Sequence, residues 1–343
     1  MKKILIAIGA LTIFACQETP KNKDYVTLSG KITDQNSDSL VIRSRTFNKT
    51  IAVHSDGTFK DTLKVEPGLY NLFDGKESST IFLKNGYDLN ITLDTKEFDE
   101  TITYTGEGAT NNSFLAEKSL VQEKLFDQDF SSMDLETLDA KFNDIEKELT
   151  TFYNSKQGID TTITNQMEKS LKPMLEGTKN YYASNILLKQ ELTGKPSPLF
   201  VDYANVDGSK TSLESLKGKY VYIDVWATWC GPCKAEIPAL KALEKEYHDK
   251  NITFVSLSVD DDRSHGGSWE KAKESWLAMV ADKELSGVQV MAPEGWKSQF
   301  VTDYKIKGIP RFILIDPNGT IVDPSAPRPS DDKLKDLFNS LSI

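Results

Sequence analysis

Histidine, cysteine and long apolar runs are scarce in this chain. Three histidines and three cysteines occur in 343 residues, and neither a second CxxC pair nor an HxxxH spacing is present. A zinc site needs more ligands than these spacings supply, so we expect no metal. Scattered cysteine pairs are also missing, which argues against a small scaffold held together by disulfides. Beyond the first fifteen residues, no apolar run approaches the roughly 20 residues that span a bilayer.

Basic residues are also fewer than acidic ones. Lysine and arginine number 41 against 51 aspartates and glutamates, which leaves a formal net charge of −10. Such a surface repels nucleic acid, and the chain has no basic stretch that would follow a phosphate backbone. We therefore expect no nucleic-acid partner. The length is sufficient for two or three domains.

The longest apolar run comes first in the chain. Two lysines precede residues 4–14, which have the length of a signal-peptide core. The run leads into Ile13-Phe14-Ala15-Cys16, which resembles a bacterial lipobox and implies cleavage before Cys16 and a lipid on its thiol. An ordinary signal peptide with an incidental cysteine is the alternative. We predict a lipoprotein signal peptide at 1–15 and a polar tether at 16–24.

Residues 25–106 have the pattern of short strands separated by turns. Alternating or β-branched runs occur at 26–32, 39–43, 51–53, 80–83, 88–93 and 101–104. Asp-Gly, Pro-Gly and Asn-Gly pairs separate several of these runs, as turns do. Six or more short strands with such breaks predict an all-β, antiparallel, sandwich-like domain. A spacer, a docking surface and a ligand-binding domain are all open as its role.

From residue 107 to residue 194 the apolar period becomes that of helices. One stripe recurs at steps of three and four residues, comprising Leu135, Leu138, Phe142, Ile145, Leu149 and Phe152. This spacing predicts an amphipathic helix whose stripe belongs to a core. A second helical stretch is predicted from about 162 to 192, with interruptions at Pro173 and Gly177. The run Gly194-Lys195-Pro196-Ser197-Pro198 then indicates a domain boundary.

The two remaining cysteines lie together in Trp229-Cys230-Gly231-Pro232-Cys233. The apolar run 220–226 before them predicts a buried strand, and residues 234–243 after them predict a helix. Cys230 is therefore expected at a helix N-terminus, where free N–H groups and a partial positive charge favour a thiolate. The thiolate is the reactive form, and thiols in this setting have pKa values of roughly 3.5–7.5. A structural disulfide is the alternative, but we interpret the pair as catalytic.

Residues 195–343 resemble the TlpA/ResA branch of the thioredoxin family. The matching residues are Gly218-Lys219, Asp224 to Lys234, Glu236-Ile237-Pro238, Val259-Asp260, Gly308-Ile309-Pro310 and Ile315 to Gly319. The resemblance implies an α/β thioredoxin fold for this C-terminal domain. The chain before it is similar to the small β-domains that precede thioredoxin modules in many Gram-negative lipoproteins. The predicted order is thus a β-sandwich-like domain at 25–106, a helical segment at 107–194 and the thioredoxin-like domain at 195–343.

The resemblance also assigns chemistry to four residues. Cys230 is the nucleophile and Cys233 the resolving thiol, and together they form a redox disulfide. Asp224 matches the carboxylate that is buried behind the second cysteine of thioredoxins, and burial would raise its pKa. Glu236, on the same helix face as Cys233, matches a glutamate near the cysteines in this branch. Asp224 and Glu236 are accordingly predicted to transfer the proton of Cys233.

Substrate binding is assigned to three further residues by the same resemblance. Ile309-Pro310 matches the family's cis-proline, which turns the backbone toward the disulfide. Ile309 would then present backbone groups to an extended substrate peptide by strand addition. Trp229 is expected to form a surface beside the dithiol.

These residues predict a thiol–disulfide oxidoreductase that is lipid-anchored in the cell envelope and faces the periplasm. Its partners would be thiols and disulfides of exported proteins, with an upstream reductant in the membrane or periplasm. No dissociable cofactor is needed, because two sulfurs carry both electrons. Gly-Pro between the cysteines resembles reducing thioredoxins, which favours reduction of substrates. The alternatives are a redox-sensing or ligand-binding lipoprotein, and a peroxiredoxin-like peroxidase, whose Pro-x-x-x-Thr-x-x-Cys motif is absent.

The remaining polar candidates indicate no further chemistry. His54, His248 and His265 are isolated in the sequence and have no ligand spacing. The run Asp260-Asp261-Asp262 follows a predicted strand, and we interpret it as a solvated loop.

Overall fold

The structure, a computed structural model, describes residues 23–343. The predicted signal peptide, Cys16 and most of the tether lie outside these residues. The chain divides into two units, each with its own hydrophobic core. One unit extends to Phe130 and resumes over Glu136–Lys179, and the other consists of Ser131–Leu135 and Asn180–Ile343.

Eight strands form two sheets in the part of the first unit that the structure describes. They are β1 (Val26–Thr33), β2 (Ser39–Arg43), β3 (Asn48–Ala52), β4 (Thr58–Leu63), β5 (Gly68–Phe73), β6 (Ser78–Leu83), β7 (Asp88–Asp94) and β8 (Thr103–Glu107). One sheet has the order β4-β1-β7-β8 and the other β3-β2-β5-β6. Side chains of both sheets share one core, including the fully buried Leu28, Leu40, Leu72 and Leu89. The predicted sandwich-like β-domain is confirmed.

The prediction that this domain is antiparallel is wrong for one strand pair. β1 and β7 run parallel, with Thr27 opposite Asp88, whereas the other strand pairs of the two sheets are antiparallel. A parallel pair requires a long connection, which the five intervening strands provide.

The sequence pattern also missed β4 and β5 and misplaced Thr101. In β4 only Phe59 and Leu63 are buried, so its apolar alternation is weak. Thr101 ends a short helix, α1 (Phe98–Thr101), instead of starting a strand. Its hydroxyl donates to the Glu97 carbonyl at 2.6 Å and accepts from the backbone N–H of Asp94 at 2.8 Å. Such bonds between a threonine side chain and nearby backbone compete with strand pairing.

Three long helices follow the strands of the first unit: α2 (Ala109–Phe126), α3 (Leu135–Ser155) and α4 (Thr161–Leu192). Four residues of the predicted stripe on α3 are buried, namely Leu138, Phe142, Ile145 and Leu149. The predicted interruption of the second stretch is wrong, because α4 continues through Pro173. Buried Leu171 and Leu175 flank the proline, and their packing outweighs the cost of the missing backbone hydrogen bond. The division between the two units falls within α4, after Lys179.

The second unit is built on a seven-stranded sheet. Its strands are β9 (Tyr203–Asn205), β10 (Lys210–Thr211), β11 (Tyr220–Trp226), β12 (Ile252–Ser258), β13 (Val288–Met291), β14 (Arg311–Ile315) and β15 (Ile321–Asp323). Its further helices are α5 (Gly231–Glu246), α6 (Trp269–Asp282), α7 (Gln299–Asp303) and α8 (Asp332–Ser340). The strand order is β10-β9-β13-β12-β11-β14-β15, in which β11 is parallel to β12 and antiparallel to β14. The predicted thioredoxin fold is confirmed.

Alternation along β11 divides the core of the second unit. Ile223 and Val225 belong to a cluster that also contains Trp276 of α6. Tyr222 points to the opposite side, where it joins Phe338 of α8 and apolar residues of α5. Because β11 is covered on both faces, its sequence is a continuous apolar run.

Two details of this unit differ from the prediction. β13 was not predicted, because it has only four residues and one of them is the polar but buried Gln289. The run Val201-Asp202-Tyr203 predicts a short strand, but Val201 is 63% exposed and β9 begins only at Tyr203. Within residues 23–343, every helix is too short or too polar to cross a membrane.

Candidate active site

Cys230 and Cys233 form a disulfide at the N-terminus of α5. Their Cα atoms are 5.3 Å apart. Cys230 is the N-cap residue, and its sulfur accepts a hydrogen bond from the backbone N–H of Cys233 at 3.1 Å. The helix dipole and this donor would both stabilise negative charge on the sulfur of Cys230 once the disulfide is reduced. The local sequence explains this arrangement, since Pro232 is favoured in the first turn of a helix.

Both cysteines are largely covered in the disulfide form. Cys230 is 4% exposed and Cys233 is 2% exposed, and both belong to the apolar cluster that contains Trp226 at the end of β11. The position of Cys230 at a helix N-terminus leads us to expect an exposed thiol, and this expectation is wrong for this oxidation state. The adjacent Trp229 is 47% exposed and provides an aromatic surface next to the disulfide.

Asp224 lies on β11 and is 6% exposed. Its Oδ1 atom has no hydrogen-bond partner within residues 23–343. Burial raises the pKa of this carboxyl to about 8, and the negative charges of Glu236 and Glu244 add to the shift. Asp224 is thus protonated through much of the neutral range and can exchange a proton near pH 8.

Glu236 is also buried, at 7% exposure, but its carboxylate is well satisfied. The backbone N–H and the hydroxyl of Ser330 donate to Oε2 and Oε1, each at 3.0 Å. A guanidinium nitrogen of Arg328 lies 3.8 Å from Oε1. Glu236 acts on Asp224 as a nearby negative charge. Its own part in proton transfer stays a prediction.

The peptide bond between Ile309 and Pro310 is cis. Arg311, the next residue, pairs with Val225 of β11, so the cis bond lies at the sheet edge where β11 ends and the chain turns toward Cys230. Ile309 packs against the apolar cluster that contains both cysteines. The structure thus brings Ile309 to the cluster around the disulfide, whereas peptide binding by strand addition stays a prediction.

The sequence did not indicate the residues that hold Arg311 in place. One terminal nitrogen of its guanidinium donates to the Ser325 hydroxyl at 2.7 Å, and the other donates to the Asn185 side-chain oxygen at 2.9 Å. Burial lowers the pKa of this guanidinium. Asn185 is 126 residues away in the chain, so no local pattern links it to the residue after the cis-proline.

The interpretation of Asp260-Asp261-Asp262 as a solvated loop is wrong. Asp260 is completely buried and Asp261 is 9% exposed. Asp260 binds Thr228, two residues before Cys230, and His265 contacts the same threonine. One signal was available in the sequence, because Asp260 follows β12 and Thr228 follows β11, and the carboxyl ends of parallel neighbours meet at one edge. Within residues 23–343, no three His, Cys, Asp or Glu side chains are grouped as a metal site requires.

Comparisons with known proteins find a family model and several relatives that match part of this chain. The family model described as Redoxin matches residues 192–341. The thioredoxin-like protein YneN of Bacillus subtilis is 32% identical over 130 residues, which are 38% of this chain and 69% of that protein. The thiol-disulfide oxidoreductase ResA of Bacillus cereus is 28% identical over 130 residues, covering 38% of this chain and 67% of that protein.

Solved structures that are similar to part of the chain are also known. A solution structure from Bacteroides vulgatus, of a protein with a proposed thiol-disulfide oxidoreductase activity, is 47% identical. The match covers 43% of this chain and 90% of that one, with a TM-score of 0.37.

Proposed function

The chain belongs to the TlpA/ResA-like family of thioredoxin-fold thiol–disulfide oxidoreductases, and from this premise we propose that it reduces disulfides of exported proteins. The observation that carries the proposal is the Cys230–Cys233 disulfide at the N-terminus of α5, with the cis Ile309–Pro310 bond at the same sheet edge. This arrangement pairs an activated sulfur with backbone that an extended peptide can bind.

The first step uses the reduced dithiol. The Cys230 thiolate attacks one sulfur of a substrate disulfide, so that a mixed disulfide forms and the other substrate sulfur leaves as a thiolate. The N–H of Cys233 and the dipole of α5 stabilise the Cys230 thiolate before attack. Trp229 and Ile309 would contact the substrate chain on either side of the reacting sulfurs.

The second step releases the substrate. Cys233 loses its proton and attacks the sulfur of Cys230, which forms the observed disulfide and frees the second substrate thiolate. Two electrons have then passed from the protein to the substrate. Asp224 is the proposed acceptor of the Cys233 proton, because its pKa of about 8 lies near the ordinary pKa of a thiol, about 8.5. Glu236 supports this role, since its negative charge raises the proton affinity of Asp224.

We further propose that electrons flow from the protein to its substrates and that the protein is anchored to a membrane, facing the periplasm. Gly231-Pro232 between the cysteines favours a reductant, which would need a thiol donor in the membrane or periplasm to restore the dithiol. Lipidation at Cys16 would hold the protein on a membrane facing the periplasm. The apolar run before Cys16 and its lipobox-like end support this location.

The test separates the two sulfurs by substitution in the full chain. Cys230→Ser should abolish disulfide exchange and leave no partner attached. Cys233→Ser should instead accumulate mixed disulfides with exported proteins that dithiothreitol cleaves, because only Cys233 releases them. Mass spectrometry of the trapped complexes identifies the substrates. Exchange activity that survives in both variants would overturn the proposed oxidoreductase mechanism.

The reduction potential tests the direction separately. A value near that of thioredoxin, about −270 mV, supports a reductant, whereas a value near −120 mV, about that of a strong oxidant, contradicts it.

A further inference from the structure

Four polar residues form a cluster around Thr228, which lies two residues before Cys230 in the chain. The cluster consists of Thr228, Ser258, Asp260 and His265. Asp260 and Ser258 are completely buried, and Thr228 is 7% exposed. The side chain of His265 is 11% exposed. The proposed oxidoreductase mechanism uses none of these residues, although Thr228 is separated from Cys230 by Trp229 alone.

The carboxylate of Asp260 accepts hydrogen bonds at both oxygens. The backbone N–H of Thr228 is 3.1 Å from each oxygen, and the Thr228 hydroxyl donates to Oδ1 at 2.7 Å. The Ser258 hydroxyl donates to Oδ2 at 2.7 Å. Two of these donors belong to the segment that leads to Cys230. A side chain after β12 therefore holds both the backbone and the side chain of the residue that precedes Trp229.

The side chain of His265 lies close to both Thr228 and Asp260. Its Nδ1 is 2.9 Å from the Asp261 carbonyl oxygen, which only accepts, so Nδ1 carries a hydrogen. Its Nε2 is 3.3 Å from the Thr228 hydroxyl and 3.5 Å from Oδ1 of Asp260. His265 therefore lies within hydrogen-bond distance of the hydroxyl that Thr228 donates to Asp260.

The residues on either side of Asp260 in the chain are held in place by backbone hydrogen bonds and close packing. The backbone N–H of Val259 donates to the Trp226 carbonyl at 2.9 Å, and that of Ala292 donates to the Ser258 carbonyl at 2.9 Å. Gly295 packs so closely that a Cβ atom there would lie 2.8 Å from Cβ of Asp261. The carboxylate thus projects from a rigid strand end, not from a mobile loop.

We propose that Asp260 and His265 are positioning residues that act through Thr228 to hold Cys230 at the N-terminus of α5 in its reactive orientation. The proposal deepens the oxidoreductase function and rests on it. Charge-assisted hydrogen bonds to a backbone N–H and a hydroxyl restrict the segment more strongly than neutral bonds do. A loosened segment would move the sulfur of Cys230 away from the N–H of Cys233 and from the helix dipole.

The test measures the reactivity of Cys230 alone, in full-length protein that carries Cys233→Ser. Thr228→Val removes the hydroxyl at nearly constant volume, so Asp260 loses its shortest bond to the segment and His265 loses its partner. Iodoacetamide alkylation of Cys230 at pH 7 should become about tenfold slower, as expected for the loss of one charge-assisted bond. The pH midpoint of alkylation should rise, because the thiolate is less well stabilised.

Two further variants distinguish positioning from a loss of stability. Thr228→Ser keeps the hydroxyl and should restore both the rate and the pH midpoint to within about twofold of the parent, on the same reasoning. Ser197→Ala also removes a buried hydroxyl of this unit, one that lies 2.7 Å from the Tyr304 hydroxyl, and should leave both values unchanged.

The outcomes separate the two proposals. An unchanged alkylation rate and pH midpoint in folded Thr228→Val would overturn the positioning role. If the protein with both cysteines shows no disulfide exchange but alkylation still depends on Thr228, the positioning role stands and the oxidoreductase mechanism falls. His265→Gln, which is expected to slow alkylation less than Thr228→Val, provides a second variant if Thr228→Val does not fold; an unchanged rate there also contradicts the proposal.

Discussion

At the scale of single residues, Asp224 shows how one carboxyl group links stability to chemistry. Its neighbours across the sheet are Ser256 on β12 and Phe312 on β14, neither of which carries charge. Ionisation therefore places a negative charge in the core, where Glu236 and Glu244 repel it. The folded protein consequently prefers the protonated form of Asp224.

Asp224→Asn should increase stability, and the increase should grow with pH. The pKa of Asp224 is about 8 in the folded protein against 3.8 ordinarily. Between these values the folded state holds a proton that the unfolded chain has lost, so the free energy of unfolding falls as pH rises. Asparagine does not titrate, and its advantage should reach at most about 5 kcal/mol near pH 8. Urea unfolding of the oxidised proteins at pH 4, 6 and 8 measures this difference.

The same substitution should slow the release of trapped substrate, since an amide does not accept the proton of Cys233. A gain in stability together with a loss of rate is the expected trade-off for a buried carboxyl group that accepts a proton in the proposed reaction. A stability difference that is constant from pH 4 to pH 8 would contradict the assigned titration of Asp224.

At the scale of secondary-structure elements, two of the polar contacts between α5 and the C-terminal segment differ in kind. Glu236 accepts two hydrogen bonds from Ser330, just before α8. Glu246 pairs with Lys335 of α8 at 2.8 Å, and both of these side chains are about half exposed. Solvent screens the second contact, whereas Glu236 itself is buried.

Glu236→Ala should therefore cost more stability than Glu246→Ala. We expect about 1–3 kcal/mol for Glu236→Ala, because two bonds to a charged acceptor are lost. For Glu246→Ala we expect about 0–1 kcal/mol. Urea unfolding at pH 6 compares the two variants, with Glu236→Gln as the control that keeps an acceptor for Ser330. Equal losses for both alanine variants would show that the Ser330 contact does not stabilise the position of α5.

At the scale of the whole molecule, the assigned chemistry is concentrated in one unit. Cys230, Cys233, Asp224 and Glu236 all belong to the second unit, as does the cis Ile309–Pro310 bond. Cys16, the predicted lipid site, lies outside the described residues. Attachment to a membrane and disulfide exchange are thus expected to depend on different parts of the chain.

Cys16→Ser should move the protein from the membrane fraction to the soluble fraction without changing its exchange rate per molecule. The reason is that stable membrane attachment requires acyl chains, which a serine at this position would not receive. Fractionation combined with intact mass measurement checks the result, and the wild-type protein should carry a lipid mass on Cys16. Membrane retention of Cys16→Ser, or a wild-type protein without that mass, would contradict lipidation at this residue.

Local signals in the sequence predicted the strand and the helix start that position Cys230 and Cys233. The bounds of β11 and the start of α5 follow from a continuous apolar run and from Cys230-Gly231-Pro232, because burial on both faces and helix initiation are local requirements. The same holds for the stripe on α3. Weak or short patterns failed: only two residues are buried in each of β4 and β5, and β13 has only four residues.

Contacts between distant parts of the chain were decided only by the tertiary structure. The parallel pairing of β1 with β7 joins Thr27 to Asp88. Asp260 reaches Thr228 across 32 residues, and Ser330 reaches Glu236 across 94. Propensity and periodicity describe what a segment buries, but not which remote segment it meets. An aspartate that ends a strand therefore resembles a solvated acid in the sequence, until the neighbouring strand end brings it a backbone N–H and a hydroxyl to bind.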